Sequence, residues 1–324
     1  MANCIIAQSG GPTSVINSSV VGLLHANKDL GAFNKVYAGL NGIEGILNGN
    51  IIELSSFTDD EINTFRYTPS SGLGSCRYKM KNLEESSEEY DKLLDILKIN
   101  DIKAFFYVGG NDSMDTIAKL GKYAKKTGID IKFIGIPKTI DNDLMYTDHT
   151  PGFGSAAKFI ATTALETYLD SSVYINNGIF ILETMGRDTG WLAASACTAR
   201  INGEPVADFI YLPEVAFEIE KFLLDVRKRF QEKNKVFIVV SEGIRNSEGK
   251  FITEVEKQSH DKFGHAQLGG VGSYLKNLII QSGITSRVKS LELGVLQRCA
   301  IHCASDVDLE EAFEAGYSAL KFAL

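Results

Sequence analysis

The run Pro137-Lys138-Thr139-Ile140-Asp141-Asn142-Asp143 follows an apolar stretch, residues 131–136, and leads into a polar turn. Two carboxylates at a spacing of two, with an ammonium and a hydroxyl beside them at the carboxyl end of a buried strand, are parts for moving a proton or a phosphoryl group. Taken alone, the run is more simply an acidic turn with a solvated lysine. Two further turns accompany it. Gly109-Gly110-Asn111-Asp112-Ser113 follows the apolar residues 104–108 and opens a helical pattern with Met114, Ile117, Ala118 and Leu120. Ser9-Gly10-Gly11-Pro12-Thr13-Ser14 follows residues 4–7 and precedes Val15, Ile16, Val20, Val21 and Leu24. Glycine at such a turn lets backbone N–H groups close on an anion, and the N-terminus of the following helix favours negative charge. Neither turn has Walker A spacing or the pattern Gly-x-Gly-x-x-Gly, so nucleotide binding by those devices is not implied. Tight βα turns also use glycine for structure alone. Two of them, together with an acidic strand-end motif, favour a phosphate site.

These turns need strands and helices to hold them. The first half alternates strand-like residues 4–7, 35–38, 104–108 and 132–136 with helical patterns after Ser14, at 90–98 and after Asp112. Such alternation predicts a mainly parallel sheet with helices on both faces, whose ligand site lies beyond the carboxyl ends of the strands. The second half repeats the theme, with helices at 156–168, 191–199, 217–230 and 268–280 and strands at 178–182, 236–240 and 288–293. The expected architecture is α/β: two doubly wound lobes, 1–150 and 151–324. The charges of 221–235 and of the acidic stretch 84–91 read as solvated helix faces.

With 324 residues and 44% hydrophobic content, the chain can bury a large core. No run of about 18 apolar residues and no basic-then-apolar leader is present, so the expectation is a cytoplasmic protein without a membrane partner. A net charge of −8 argues against nucleic-acid binding. Five cysteines with no Cys-x-x-Cys pair fit a reduced compartment, and Cys299, His302 and Cys303 read as helix-spaced residues of a buried segment before they read as a metal site.

The ordered set Ser9-Gly10-Gly11, Leu73-Gly74-Ser75-Cys76-Arg77, the two central motifs, Met185-Gly186-Arg187, Ser241-Glu242-Gly243 and Leu293-Gly294 with Gln297-Arg298 resembles the phosphofructokinase family over nearly the whole chain. The resemblance implies a glycolytic transferase that moves a phosphoryl group to the 1-hydroxyl of fructose 6-phosphate. It implies a lobe at 1–150 for the phosphoryl donor, a lobe at 151–324 for the sugar phosphate, and a homodimer or homotetramer. By the same resemblance Asp141 is the general base, with Asp143, Lys138 and Arg187 as further catalytic groups. Gly11, Arg77, Gly110, Asp112 and Ser113 would meet the donor phosphates. Thr139, Met185, Gly186, Arg187, Glu242, Lys289 and Arg298 would meet the sugar phosphate, the last two at its 6-phosphate. Mg²⁺ is the implied cofactor, with Asn111 and Asp112 as its ligands.

Donor choice hangs on two positions. Nucleotide-dependent members carry glycine where this chain has Asp112 and Lys138. A carboxylate at 112 repels an α-phosphate and an ammonium at 138 faces a terminal phosphate, so the resemblance is to the pyrophosphate-dependent branch, and ATP is the less favoured donor. Four positions depart from the family pattern. Asn111 stands in place of an aspartate, Lys289 of an arginine, Gly178 of an arginine and Val295 of a histidine. The segment after Arg298 is shorter than the family's, which suggests a truncated chain. The alternatives are an ATP-dependent 6-phosphofructokinase or a sugar-phosphate sensor on the same fold.

Overall fold

The computed structural model describes residues 1–84, 86–175, 178–253 and 270–324. The chain divides into two compact units, Met1–Ser155 with Arg298–Leu324, and Ala156–Gln297. In the first, β1 (Asn3–Gln8), α1 (Ile16–Leu30), β2 (Val36–Gly39), α2 (Gly42–Leu47), β3 (Ile51–Glu53), α3 (Asp59–Arg66), α4 (Glu88–Ile99), β4 (Ile102–Gly109), α5 (Asn111–Lys126) and β5 (Lys132–Pro137) follow one another. The sheet order is β3-β2-β1-β4-β5, parallel except for the short edge strand β3.

Side chains alternate across a strand, and here both faces are covered. Cys4, Ile6, Ala104, Phe106 and Val108 enter one core with α1 residues Ile16, Val20 and Leu23. Ile5, Ala7, Phe105 and Tyr107 enter the other with Leu93, Leu97, Ile117 and Leu120 of α4 and α5. This is why β1 and β4 read as unbroken apolar runs rather than alternating ones.

The second unit takes up most of α6 (Phe153–Ser171), then β6 (Ile179–Thr184), α7 (Trp191–Ser195), the hairpin β7 (Arg200–Ile201) and β8 (Glu204–Pro205), β9 (Phe209–Tyr211), α8 (Ile219–Lys233), β10 (Val236–Ser241), α9 (Val271–Gln281) and β11 (Val288–Glu292). Its sheet runs β11-β6-β10-β9, all parallel. The predicted helix at 268–280 begins, among the described residues, at Val271; positions 268 and 269, and position 85 of the acidic stretch, lie outside them. No helix among the described residues is long and apolar enough to cross a membrane.

The chain closes with α10 (Leu296–Cys299) and α11 (Asp306–Phe322). The expected second lobe, 151–324, includes this segment; in the structure Arg298–Leu324 belongs to the first unit. The cause is a reciprocal close approach of α11 and α1. A Cβ on Gly22 would stand 1.9 Å from the Phe313 carbonyl oxygen, and one on Gly316 would stand 1.8 Å from that of Ser19. Only glycine admits such backbone contact. The Ser18 hydroxyl donates to the Leu309 carbonyl at 2.7 Å and adds a hydrogen bond to the seam.

Candidate active site

In the first unit the strand order reverses between β1 and β4, and an open α/β sheet forms its ligand crevice beyond the strand ends at such a point. Register brings the three motif turns to that edge, because Gln8 pairs with Val108 and Gly109 with Pro137. They are fastened to one another. The Ser113 hydroxyl, buried, donates to that of Ser9 at 2.9 Å, and the Lys138 N–H donates to the Gly109 carbonyl at 3.0 Å. The loop 73–77 joins them. Gly10 N–H donates to the Cys76 carbonyl at 3.0 Å, and the Ser75 hydroxyl donates to the Gly10 carbonyl at 2.6 Å.

Lys138 is the centre of this edge. Its side chain is 2% exposed, and its ammonium donates to the carbonyls of Ser9 at 2.9 Å and Gly11 at 2.6 Å. Burial lowers its pKa to about 8; Asp141 opposes the shift, and Arg298 and Arg77 add to it. Three cations therefore share the neighbourhood of one glycine turn. Arg298 stands against that turn, since a Cβ on Gly11 would lie 3.2 Å from its Nη1. Arg298 thus falls in the first unit, and Lys289, expected with it at the 6-phosphate, in the second. Lys289 is exposed on β11 of the second unit, near the start of that strand, in register with Phe180 and short of the strand-end edge.

Asp141 is half-buried in the turn after β5. Its N–H donates to Thr139 Oγ1 at 3.2 Å, and that hydroxyl donates to Asp141 Oδ2 at 3.4 Å. An extended run would put Asp143 on the face of Asp141, but the run is not extended. Asn142 takes a left-handed conformation, φ 55°, and the chain turns there. Asp143 is exposed and accepts from the Asn111 side-chain amide at 2.8 Å. Asn142 also holds the following loop, its Oδ1 accepting from Thr150 N–H at 2.8 Å and its Nδ2 donating to the Asp148 carbonyl at 3.2 Å. Asp112 is exposed in the first turn of α5, whose N-cap is Gly110.

In the second unit the turns after β6 and β10 meet. Glu242 N–H donates to the Thr184 carbonyl at 2.9 Å, and the buried Ser241 hydroxyl donates to the Gly186 carbonyl at 2.5 Å. A Cβ on Gly243 would stand 2.1 Å from the Arg187 carbonyl oxygen, so the turn carrying Met185, Gly186 and Arg187 rests directly on the backbone beside Glu242. Met185 N–H donates to Gln297 Oε1 at 3.1 Å. Behind the turn, Glu183 is 2% exposed and accepts from Gly272 N–H at 2.7 Å, at the N-terminus of α9. Burial raises its pKa, and the N–H groups of residues 270–272 oppose the rise.

Sequence reasoning missed the supports. Gln8 Nε2 donates to Asn17 Oδ1 at 2.9 Å; Gln8 Oε1 accepts from Ser71 Oγ at 2.6 Å and Leu73 N–H at 3.0 Å, which ties the loop before Arg77 to β1 and α1. The available signal was a fully buried polar residue at the end of an apolar strand and another inside an apolar helix, since buried polar groups are hydrogen-bonded. Asp308, also 2% exposed, was missed too; its carboxylate accepts from Gly152 and Ser155 N–H, each at 2.8 Å.

Among the described residues no group of three or more His, Cys, Asp or Glu is placed to hold a metal ion. The exposed oxygens of Asn111, Asp112 and Asp143 instead suit a Mg²⁺ bound through one or two protein oxygens, with substrate phosphate and water completing its shell.

A parallel sheet whose ends gather a glycine turn, buried and half-buried cations and an acidic turn is an α/β scaffold made to receive an anion. The Phosphofructokinase family model matches residues 3–322. The chain is 41% identical to the pyrophosphate–fructose 6-phosphate 1-phosphotransferase of Methylococcus capsulatus, over 99% of this chain and 77% of that relative. It is 35% identical to the sulfofructose kinase of Alkalicoccus urumqiensis, over 98% of this chain and 79% of that one. The crystal structure of the pyrophosphate-dependent phosphofructokinase from Marinobacter aquaeolei matches with a TM-score of 0.86 at 38% identity, over 100% of this chain and 76% of that chain. The chain belongs to the phosphofructokinase family.

Proposed function

We propose that this protein transfers a phosphoryl group reversibly from pyrophosphate to the 1-hydroxyl of fructose 6-phosphate, giving fructose 1,6-bisphosphate, as a glycolytic enzyme of the cytoplasm and as a homodimer or homotetramer. The observation that carries the reading is the buried Lys138 ammonium, bonded under the Ser9–Gly11 turn with Arg77 and Arg298 close by. The names of the Methylococcus and Marinobacter relatives support pyrophosphate as donor.

In this reading Arg77 engages the donor phosphates and Arg298, with Lys289, the 6-phosphate of the sugar, and arginine offers a planar fork of donors for that purpose. Lys138 holds the carbonyls of Ser9 and Gly11, which fixes the turn, and adds fixed positive potential to the phosphate that leaves. Asp141 accepts the proton of the 1-hydroxyl as its oxygen attacks phosphorus, a role worth about 10²–10⁴-fold in rate. Thr139 orients the Asp141 carboxylate. Arg187 stabilises transition-state charge, and Met185, Gly186 and Glu242 recognise the sugar, Glu242 by accepting its hydroxyls. Asn111, Asp112 and Asp143 are the residues that would hold Mg²⁺ arriving with pyrophosphate, and the ion neutralises phosphate charge when bound.

The test compares wild type with an Asp112→Gly/Lys138→Gly double variant. Removing the carboxylate and the ammonium opens space and ends the repulsion of an α-phosphate, so the ratio of kcat/KM for ATP to that for pyrophosphate should rise even as total activity falls. A ratio that does not move rules these residues out as the donor selectors. The acceptor panel should include sulfofructose, after the name of the Alkalicoccus relative.

A further inference from the structure

We propose that Asp308, on α11, is a positioning residue for Asp141, an inference that rests on the general-base reading above. A chain of hydrogen bonds within the first unit connects the two. The Asp308 carboxylate accepts from Gly152 N–H through one oxygen and from Ser155 N–H through the other, each at 2.8 Å, at the N-terminal end of α6. Gly152 forms a parallel bridge with Thr139, and Thr139 N–H donates to the Pro151 carbonyl at 3.2 Å. Thr139 Oγ1 in turn accepts from Asp141 N–H at 3.2 Å.

The strut has a firm base. Leu309, next to Asp308, accepts the Ser18 hydroxyl, and the glycine seam of α1 and α11 leaves the helix no room to slide. Ser305 N–H, at the start of α11, donates to Ser155 Oγ at 3.1 Å. A turn further along α11, Glu311 meets His149 Nε2 at 2.6 Å and ties down the same loop from its exposed side. A carboxylate in this place serves two N–H groups. An amide would accept only one and turn its own N–H₂ toward the other, because it has a single acceptor oxygen. The loop would then shift by a fraction of an ångström to an ångström, enough to cost a catalytic group much of its effect.

The test is Asp308→Asn in the full chain, with kcat, KM for fructose 6-phosphate and for pyrophosphate, and melting temperature measured beside Asp141→Asn and Ala312→Gly. Ala312 is a buried residue of the same helix with no place in the chain of bonds. The expected result is a fall in kcat of about ten- to a hundredfold with both KM values within about twofold of wild type. Ala312→Gly, with a comparable fall in melting temperature, should keep its kcat. The proposal is overturned if Asp308→Asn keeps kcat within about twofold while Asp141→Asn is inactive, or if Ala312→Gly loses as much kcat as Asp308→Asn. An active Asp141→Asn overturns the base assignment itself, and is recognised as that separate failure. Where Asp308→Asn does not fold, Asp308→Glu carries the test, because it keeps two acceptor oxygens but displaces them by one methylene from Gly152 and Ser155 N–H: a several-fold fall in kcat at constant KM supports the strut, and an unchanged kcat overturns it.

Discussion

The two units use one architecture with opposite wiring at their strand ends. At the strand ends of the first, the buried titratable group is an amine, Lys138, bonded to two carbonyls of a glycine turn, with arginines near it, while that unit's buried carboxyl group, Asp308, lies on α11. In the second it is a carboxyl group, Glu183, its pKa raised by burial, placed at the N-terminus of α9, where it takes up an amide that an external anion would otherwise find. The turns differ in the same sense. Those of the first unit are joined by side-chain bonds from Ser113 and Ser75, whereas the sugar-motif turn of the second combines one such bond, from Ser241, with close backbone contact at Gly243. A shared fold therefore says little about which edge meets a polyanion; the titratable group buried at the strand ends says more.

The largest expected effect tests the first edge. Asp141→Asn keeps the shape but cannot take a proton, so kcat should drop about 10²–10⁴-fold while calorimetry shows sugar-phosphate binding intact. Retention of more than about a tenth of wild-type turnover would remove Asp141 from the role of base. Next comes the second edge. Gly243→Ala places a methyl group 2.1 Å from the Arg187 carbonyl oxygen and 2.4 Å from that of Gly186. Backbone must move, which costs about 1–3 kcal/mol. Affinity for the sugar phosphate should fall at least tenfold and affinity for pyrophosphate should hold; equal losses in two titrations would erase the contrast between the edges.

A third effect isolates the buried cation. The pKa of Lys138 is about 8 when folded, against 10.5 for an ordinary lysine. Between those values the unfolded chain binds the proton and the folded chain does not, so this group makes stability rise with pH there and leaves it flat below about 8. The unfolding free energy of wild type relative to Lys138→Met should therefore climb by up to about 3 kcal/mol toward pH 10.5. Urea titrations showing a constant difference across that window would mean that the ammonium is not buried as charge. The smallest effect is Ser241→Ala, which removes one donor to the Gly186 carbonyl. About 1 kcal/mol of stability should be lost, with a few-fold rise in sugar-phosphate KM and none in pyrophosphate KM.

Much of the first edge was legible in the sequence because strands buried on both faces are apolar runs and glycine punctuates their ends. The turns at Gly10, Gly110 and Lys138 stand where that pattern put them. Less was legible where the cue is short or distant. The strand β9 has three half-buried residues and gives no pattern to read. The left-handed Asn142 breaks the extended run between Asp141 and Asp143, and asparagine is one of the few side chains that adopt that conformation readily. The return of α11 to the first unit depends on Gly22 meeting Phe313 and Gly316 meeting Ser19, across nearly the whole length of the chain. Placement of Arg298 beside Gly11, and the anchoring role of Asp308, follow from the same return.

Donor preference tests the account most directly. Initial rates of fructose 1,6-bisphosphate formation from fructose 6-phosphate, with Mg²⁺ and either pyrophosphate or ATP, give two specificity constants for the same wild-type protein. The buried Lys138 and the exposed Asp112 at the head of α5 require that the constant for pyrophosphate exceed that for ATP by a wide margin. A protein that uses ATP as well as or better than pyrophosphate would contradict the account.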